Sequence, residues 1–281
     1  MIIKEENKKI DIAWDKLYGR LEEDGLLNTE SPSKRKTINI NSLKWVAAIA
    51  ILCLSIASIL VFYNREPAQQ DMLTLNNEES SATLVSTLED GSVVYLSEYA
   101  SLHYPTRFAD NKREVSLQGD AFFDISKNAK RPFVIDTKFA TIEVLGTSFN
   151  VKSNDNTPFS LSVKTGEVRI ISKKGGRPAY VAAGETAILQ SEKLYTAKTT
   201  DIEEFSRYLK QIHFKDERLA DVIRVINTNS ESIQLKISPA IENRLLTLTF
   251  SGTDPTTMAQ LICMALNLKS NQDKNTITIS E

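Results

Sequence analysis

The chain has 281 residues, with 34 Lys and Arg against 36 Asp and Glu and a net charge of −2. That balance, without a concentrated basic face, excludes a nucleic-acid binder. Two histidines, His103 and His213, argue against a His-based metal centre, and two distant cysteines, Cys53 and Cys263, give no internal disulfide framework.

Residues 1–44 carry nine basic and eight acidic residues. Ile10, Trp14, Leu17 and Leu21 recur at spacings of four, three and four, which puts them on one face of a helix. Gly25 suits its end, and Ser31-Pro32-Ser33 with the following Lys34-Arg35-Lys36 reads as a tether. One short helix cannot hold itself folded in water. Its apolar stripe calls for a protein groove, a second copy or a membrane surface. Mixed charge on the polar face speaks against the membrane surface, and a protein groove is the preferred reading. A partly disordered tail with accidental periodicity is the other reading.

Trp45 to Tyr63 contains no charged residue across nineteen positions. As a helix it would run roughly 28 Å, close to the hydrocarbon thickness of a bilayer. A buried core helix would show a polar edge, and a signal peptide would start earlier and end in a small-residue cleavage site. The run therefore reads as a single-pass transmembrane helix, residues 45–63. Lys34, Arg35, Lys36 and Lys44 precede it, whereas Arg65 is the only basic residue between it and Arg107. The positive-inside rule then places 1–44 in the cytoplasm and 64–281 outside. Residues 64–83 read as a polar linker.

From residue 84 the pattern changes to period two. Val93–Leu96, Glu114–Leu117, Ala121–Ile125, Phe133–Asp136, Thr141–Leu145, Ser148–Lys152, Leu161–Lys164, Glu167–Ile171, Tyr180–Ala182 and Thr186–Leu189 read as short strands. Asp90-Gly91, Gly119-Asp120, Thr165-Gly166 and Gly175-Gly176 supply turn chemistry between them. Residues 84–192 are thus expected to form an all-β sandwich, barrel or solenoid. No HExxH, GxSxG or P-loop pattern occurs, and no enzyme activity is expected. Asp120 and Asp124 could pair as carboxylates, but turn and strand roles suit them better.

Five blocks carry a family resemblance. They are LEDGSVVYLSEYASLHYPTRF (88–108), REVSLQGDAFFDI (113–125), RPFVI (131–135), VLGTSFNV (144–151), and KTGEVRI with AAGETAIL (164–170, 182–189). In order and spacing they resemble the FecR family of membrane-anchored anti-sigma factors, with Glu89, Asp120 and Ala183 as small departures. The resemblance implies an inner-membrane protein whose periplasmic part senses a TonB-dependent outer-membrane transducer. Its cytoplasmic segment would hold an extracytoplasmic-function sigma factor through Ile10, Trp14, Leu17 and Leu21. Membrane proteases would release that segment, and no cofactor is implied. Some relatives cleave themselves at a Gly-Thr bond in a similar block, which here is Gly146-Thr147. The Thr147 hydroxyl would attack the Gly146 carbonyl, a step that needs a strained peptide. The alternative is that Gly146 serves a close approach at a bend.

Residues 205–281 read as β-α-β-β-α-β, following a short amphipathic connector at 201–210. Strands fall at Ile212 and Phe214, at Ile233 to Ile237, at Leu246, Leu248 and Phe250, and at Ile277 and Ile279. Asp254-Pro255 opens the second helix. This pattern is similar to the small α/β domain that ends some FecR proteins, and to the signalling domains of TonB-dependent receptors and secretins. Tyr208 stands nearest the position where a Trp is usual. A transducer would dock on a free sheet edge, with Leu245–Phe250 (Leu246, Leu248, Phe250) and Asn275–Ser280 (Ile277, Ile279) as candidates. A different class of function is an anchored envelope scaffold whose β domain binds glycan or a secretion component, with an inert inner tail.

Overall fold

The computed structural model describes residues 3–25, 50–56, 58, 71–78, 82–252 and 254–281. The chain divides into two compact units, residues 1–68 and 69–281.

In the first unit, helix α1 spans Ile3–Glu23. It stops at Asp24-Gly25, where Gly25 takes φ 65° and its N–H donates to the Glu22 carbonyl. The tether at 26–44 lies outside the described residues, as does most of the expected span at 45–63. Of that span, residues 50–56 and 58 are helical, and Ser55 returns its hydroxyl to the Leu52 carbonyl at 2.8 Å. Among the described residues no helix is long and apolar enough to cross a membrane.

The second unit is mainly β. Its first fourteen strands are β1 (Met72–Asn76), β2 (Thr83–Thr87), β3 (Val93–Leu96), β4 (Ser101–Pro105), β5 (Arg113–Gln118), β6 (Ala121–Asp124), β7 (Phe133–Asp136), β8 (Ala140–Val144), β9 (Ser148–Lys152), β10 (Ser160–Thr165), β11 (Glu167–Ser172), β12 (Ala179–Ala182), β13 (Glu185–Gln190) and β14 (Lys193–Lys198). They switch between two sheets every one or two strands, so the chain coils around one core and closes no barrel. One sheet runs β1-β4-β5-β7-β8-β11-β12. The other begins β14-β13-β10-β9-β6-β3-β2. Val94, Leu96, Phe123, Phe133, Ile142, Phe149 and Leu161 lie between them, almost wholly buried. Alternation supplies these residues, because every second side chain points inward.

The segment expected as linker, 64–83, contains β1 and the start of β2. Met72 to Asn76 offers only one short alternation, Leu73 and Leu75, inside a polar segment. It becomes a strand because β4 offers a partner, with Leu73 opposite Tyr104 and Leu75 opposite Leu102.

The C-terminal part holds β15 (Gln211–Arg218), α2 (Leu219–Thr228), β16 (Gln234–Ile237), β17 (Leu245–Ser251), α3 (Pro255–Leu266), β18 (Lys269–Asp273) and β19 (Thr276–Ser280). Asp254 caps α3, accepting from the N–H groups of Thr256 and Thr257, with Pro255 in the first turn. The order has one strand more than expected. β18 reads KSNQD and is exposed along its whole length, so it carries no hydrophobic signal. It forms by pairing with β19.

This part does not close on its own sheet. β15 pairs in parallel with β2, Ile212 opposite Thr83 and Phe214 opposite Val85. The second large sheet therefore continues β2-β15-β17 and reaches nine strands, while β16-β19-β18 form a separate sheet of three. All four residues of β3 are buried. Val94 and Leu96 face the sandwich, whereas Val93 and Tyr95 face a second core with Phe122, Phe214, Ile223 and Phe250. A sheet that is apolar on both faces needs a cover on each, and α2, α3 and the connector provide the second.

Candidate functional site

Four places carry the functional expectations. The first is α1. Trp14 is 56% exposed and Leu17 47%, and Ile12 and Tyr18 are also exposed. Leu21 is half-buried. Ile10 lies on the helix, one turn before Trp14. An exposed tryptophan on a helical stripe is an unspent anchor, since Trp and Tyr dominate the energetics of protein interfaces.

The second is the pair of candidate edges. β17 ends the nine-stranded sheet, so one side of its backbone has no strand partner among the described residues. It reads LLTLTFS, with no charge and no proline to blunt the edge. Leu246 and Phe250 are buried and Leu248 is half-buried. β19 differs from the expectation of a free edge. It lies between β16 and β18, and both of its sides are paired. Ile277 and Ile279 point into the core, at 3% and 0% exposure. The extra strand β18 is what covers this edge.

The third is Gly146-Thr147. A Cβ on Gly146 would sit 2.5 Å from the Lys127 Cα. That close approach of two backbones explains the glycine without reference to cleavage. Thr147 is buried, and its hydroxyl donates to the Glu167 carbonyl at 3.0 Å. A main-chain carbonyl is no base, so this bond does not activate the hydroxyl for attack.

The fourth is the DG turn, whose chemistry the sequence reading left at turn formation. Asp90 accepts from the N–H of Ser92 at 3.0 Å and from its hydroxyl at 2.7 Å. It also pairs with Arg113 at 2.6 Å. Arg113 is 1% exposed, donates to the carbonyls of Arg131 and Ser126, and lies over the Phe133 ring. A buried basic residue at the start of an alternating strand was the signal available for this pair. Asp120 and Asp124 do not converge. Asp120 accepts from the N–H groups of Ser153 and Asn154, and Asp124 accepts from the Ser148 hydroxyl. No cluster of metal-ligating side chains occurs among the described residues.

The model of the FecR protein family matches residues 77–169. Those residues are a FecR domain. They run from the end of β1 into β11 and contain the Asp90–Arg113 pair and the Gly146 bend. Two crystal structures of a candidate anti-sigma factor from Parabacteroides distasonis ATCC 8503, at 2.50 and 1.65 Å resolution, are also similar. Their TM-scores are 0.46 and 0.44 and their identities 20% and 22%, over 75% of this chain and 99% of theirs. No curated protein matches the chain.

The FecR domain is joined to the C-terminal part by more than strand pairing. Arg224 on α2 donates to the Gly91 carbonyl at 2.7 Å, which ties the helix to the DG turn. Asn229 donates to the Tyr95 hydroxyl at 3.1 Å. Burial pushes that phenol up to about 12. In the connector, Tyr208 donates to Asn150 on β9, and Asn150 donates to the buried Glu204, which also pairs with Lys152. Phe205 and Tyr208 pack on Phe122, each with ring centroids 5.9 Å apart.

Glu217 follows a bulge in β15 and accepts from the Ser86 hydroxyl of the FecR domain at 2.6 Å. Burial raises its carboxyl above the ordinary 4.5, against the lowering effect of Ser86. A carboxyl raised in the folded state binds more protons folded than unfolded. Its contribution to stability is complete below the unfolded value and is lost as pH rises through the folded one. Glu217→Gln is therefore expected to stabilise the chain at neutral pH, with the gain shrinking on acidification. Urea unfolding midpoints of both proteins across that range check this.

Proposed function

We propose that this chain is a membrane-anchored anti-sigma factor. The observation that carries the reading is the exposed Trp14–Leu17 stripe of α1, in the same chain as a FecR domain. The helix supplies an apolar face with no cover among the described residues of its own unit, and a groove in an extracytoplasmic-function sigma factor would supply that cover. Sequestration there would keep the sigma factor from RNA polymerase. The chain would cross the inner membrane once through residues 45–63, with α1 in the cytoplasm and residues 64–281 in the periplasm.

On the periplasmic side, the uncharged free edge of β17 suits strand addition by the signalling domain of a TonB-dependent transducer. Leu246, Leu248 and Phe250 would back that contact from within the strand. A single helix transmits a subtle shape change poorly, and a ligand shifts an equilibrium only by its differential affinity for two states. Cutting the tether avoids that limit, so release by membrane proteases is the proposed relay.

Trp14→Ala tests the reading. Sigma factors of the same cell are captured on the full-length protein in detergent and identified. One of them should bind the parent chain, and the substitution should weaken that binding by about thirtyfold, the loss of a hot-spot tryptophan worth about 2 kcal/mol. Equal capture by both proteins, or capture of no sigma factor, would sink the proposal and favour an envelope scaffold with an inert tail.

A further inference from the structure

We infer that the FecR domain carries a carbohydrate-binding cleft organised around Tyr99, a site separate from the sigma-factor and transducer surfaces. Tyr99 lies in the turn between β3 and β4 with φ 57°. The other five described non-glycine residues with positive φ are Ser191, Glu192, Asp216, Asn267 and Lys274. Those are polar residues, four in turns and Asp216 in the bulge of β15, whereas a bulky aromatic there is strained. The ring gains no packing in return. It is 72% exposed, and its hydroxyl has no partner among the described residues. Backbone strain spent on presenting a ring to solvent is the mark of a contact residue. The turn itself is firmly held, since the Tyr99 N–H donates to the Asn77 carbonyl at 2.8 Å.

The ring borders a cleft of about 600 Å³, inside the usual range for ligand sites. Its wall is polar. Ser116 and Gln118 come from β5, Lys138 from the turn after β7, and Ser153 and Asp155 from the loop after β9. The side chains of Ser116 and Gln118 have no hydrogen-bond partner among the described residues. Ser153 also lines the cleft at 5% exposure, but its Oγ is buried beneath the wall and not open to it.

The chemistry of the wall selects the ligand. Lys138 and Asp155 pair with each other at 2.5 Å, and Asp136, also on the wall, pairs with Lys173. The charges cancel locally, which disfavours a phosphate or a carboxylate. The free groups are hydroxyls and an amide, each both donor and acceptor. Their natural complement is a ligand whose own groups are both donor and acceptor, which describes sugar hydroxyls. The flat exposed ring provides the platform for the apolar C–H face of a pyranose. A neutral oligosaccharide satisfies both halves of the cleft at once.

Isothermal titration of the full-length protein tests this, in a detergent without a sugar headgroup. The probes are cellohexaose, maltohexaose, xylohexaose, mannohexaose and chitohexaose. Saturable binding of at least one is expected, and Tyr99→Gly should weaken it about tenfold or more. Glycine adopts the Tyr99 backbone without strain, so this variant keeps the fold. Gln118→Ala, which removes an exposed lining side chain, should weaken binding a few-fold while leaving the unfolding midpoint unchanged. A response confined to chitohexaose assigns the ligand to the N-acetylated glycans of the cell's own wall. A response among the other probes assigns it to glycans from outside. Flat isotherms with all five probes, or binding that Tyr99→Gly leaves untouched, would overturn the inference.

Discussion

Arg113→Ala should unfold the FecR domain more readily than any surface substitution, by about 3–5 kcal/mol. The pair it breaks is 1% and 8% exposed at its two side chains. Removing the guanidinium leaves Asp90 buried with only Ser92 to accept from, and leaves the Arg131 and Ser126 carbonyls without their donor. An uncompensated buried charge costs more than the pair itself contributes. A double substitution, Arg113→Met with Asp90→Leu, should therefore lose less than the sum of the two single changes. Urea denaturation of the full-length protein and the variants measures all of this. Simple additivity would show that the two residues do not act as a unit. The effect should reach the C-terminal part as well, because Arg224 is bonded to Gly91 in the same turn.

Gly146→Ala is the second large effect. The added methyl would lie 2.5 Å from the Lys127 Cα and 2.8 Å from its Cβ, so main chain must move rather than a flexible side-chain end. Overpacking of this kind costs roughly 1–3 kcal/mol even where side chains can yield, and the upper end is expected here. Thr147→Val, by contrast, removes one hydrogen bond to Glu167 and should cost about 1 kcal/mol. The same pair of variants separates the two readings of this bend. With a close-packing role, freshly made parent protein runs as one intact band and both variants run with it. A fragment starting at Thr147 in the parent, absent in Thr147→Val, would establish self-cleavage.

Much of the sandwich was legible in the chain. β7 and β9 fall on the residues where alternation placed them, because Phe133 and Ile135 of β7 and Phe149 and Val151 of β9 all enter one core. The unbroken apolar run of β3 already carried the information that both its faces are covered. The amphipathic stripe of α1 was equally plain, since helical spacing needs no partner to be visible.

Other features had little or no local signal. β1 and β18 are strands only because β4 and β19 stand beside them, and the residues of β18 are all exposed. The candidate edge at Asn275–Ser280 read like that at Leu245–Phe250, and only the presence of β18 distinguished them. The buried partner of Arg113 and the unpaired hydroxyl of Ser153 depend on what lies across the fold, not along the chain.

Spacing and hydrophobic pattern determined which segments of this protein form strands and helices, and which faces seek cover. Tertiary structure alone decided that β15 extends the FecR sheet, that β17 is left as its open edge, and that Tyr99 shares a cleft with Ser116 and Gln118. The reason is physical. Periodicity reports a residue's own preference for water, whereas strand order and side-chain encounter are set by segments far apart in sequence, whose contacts form only when the whole core closes.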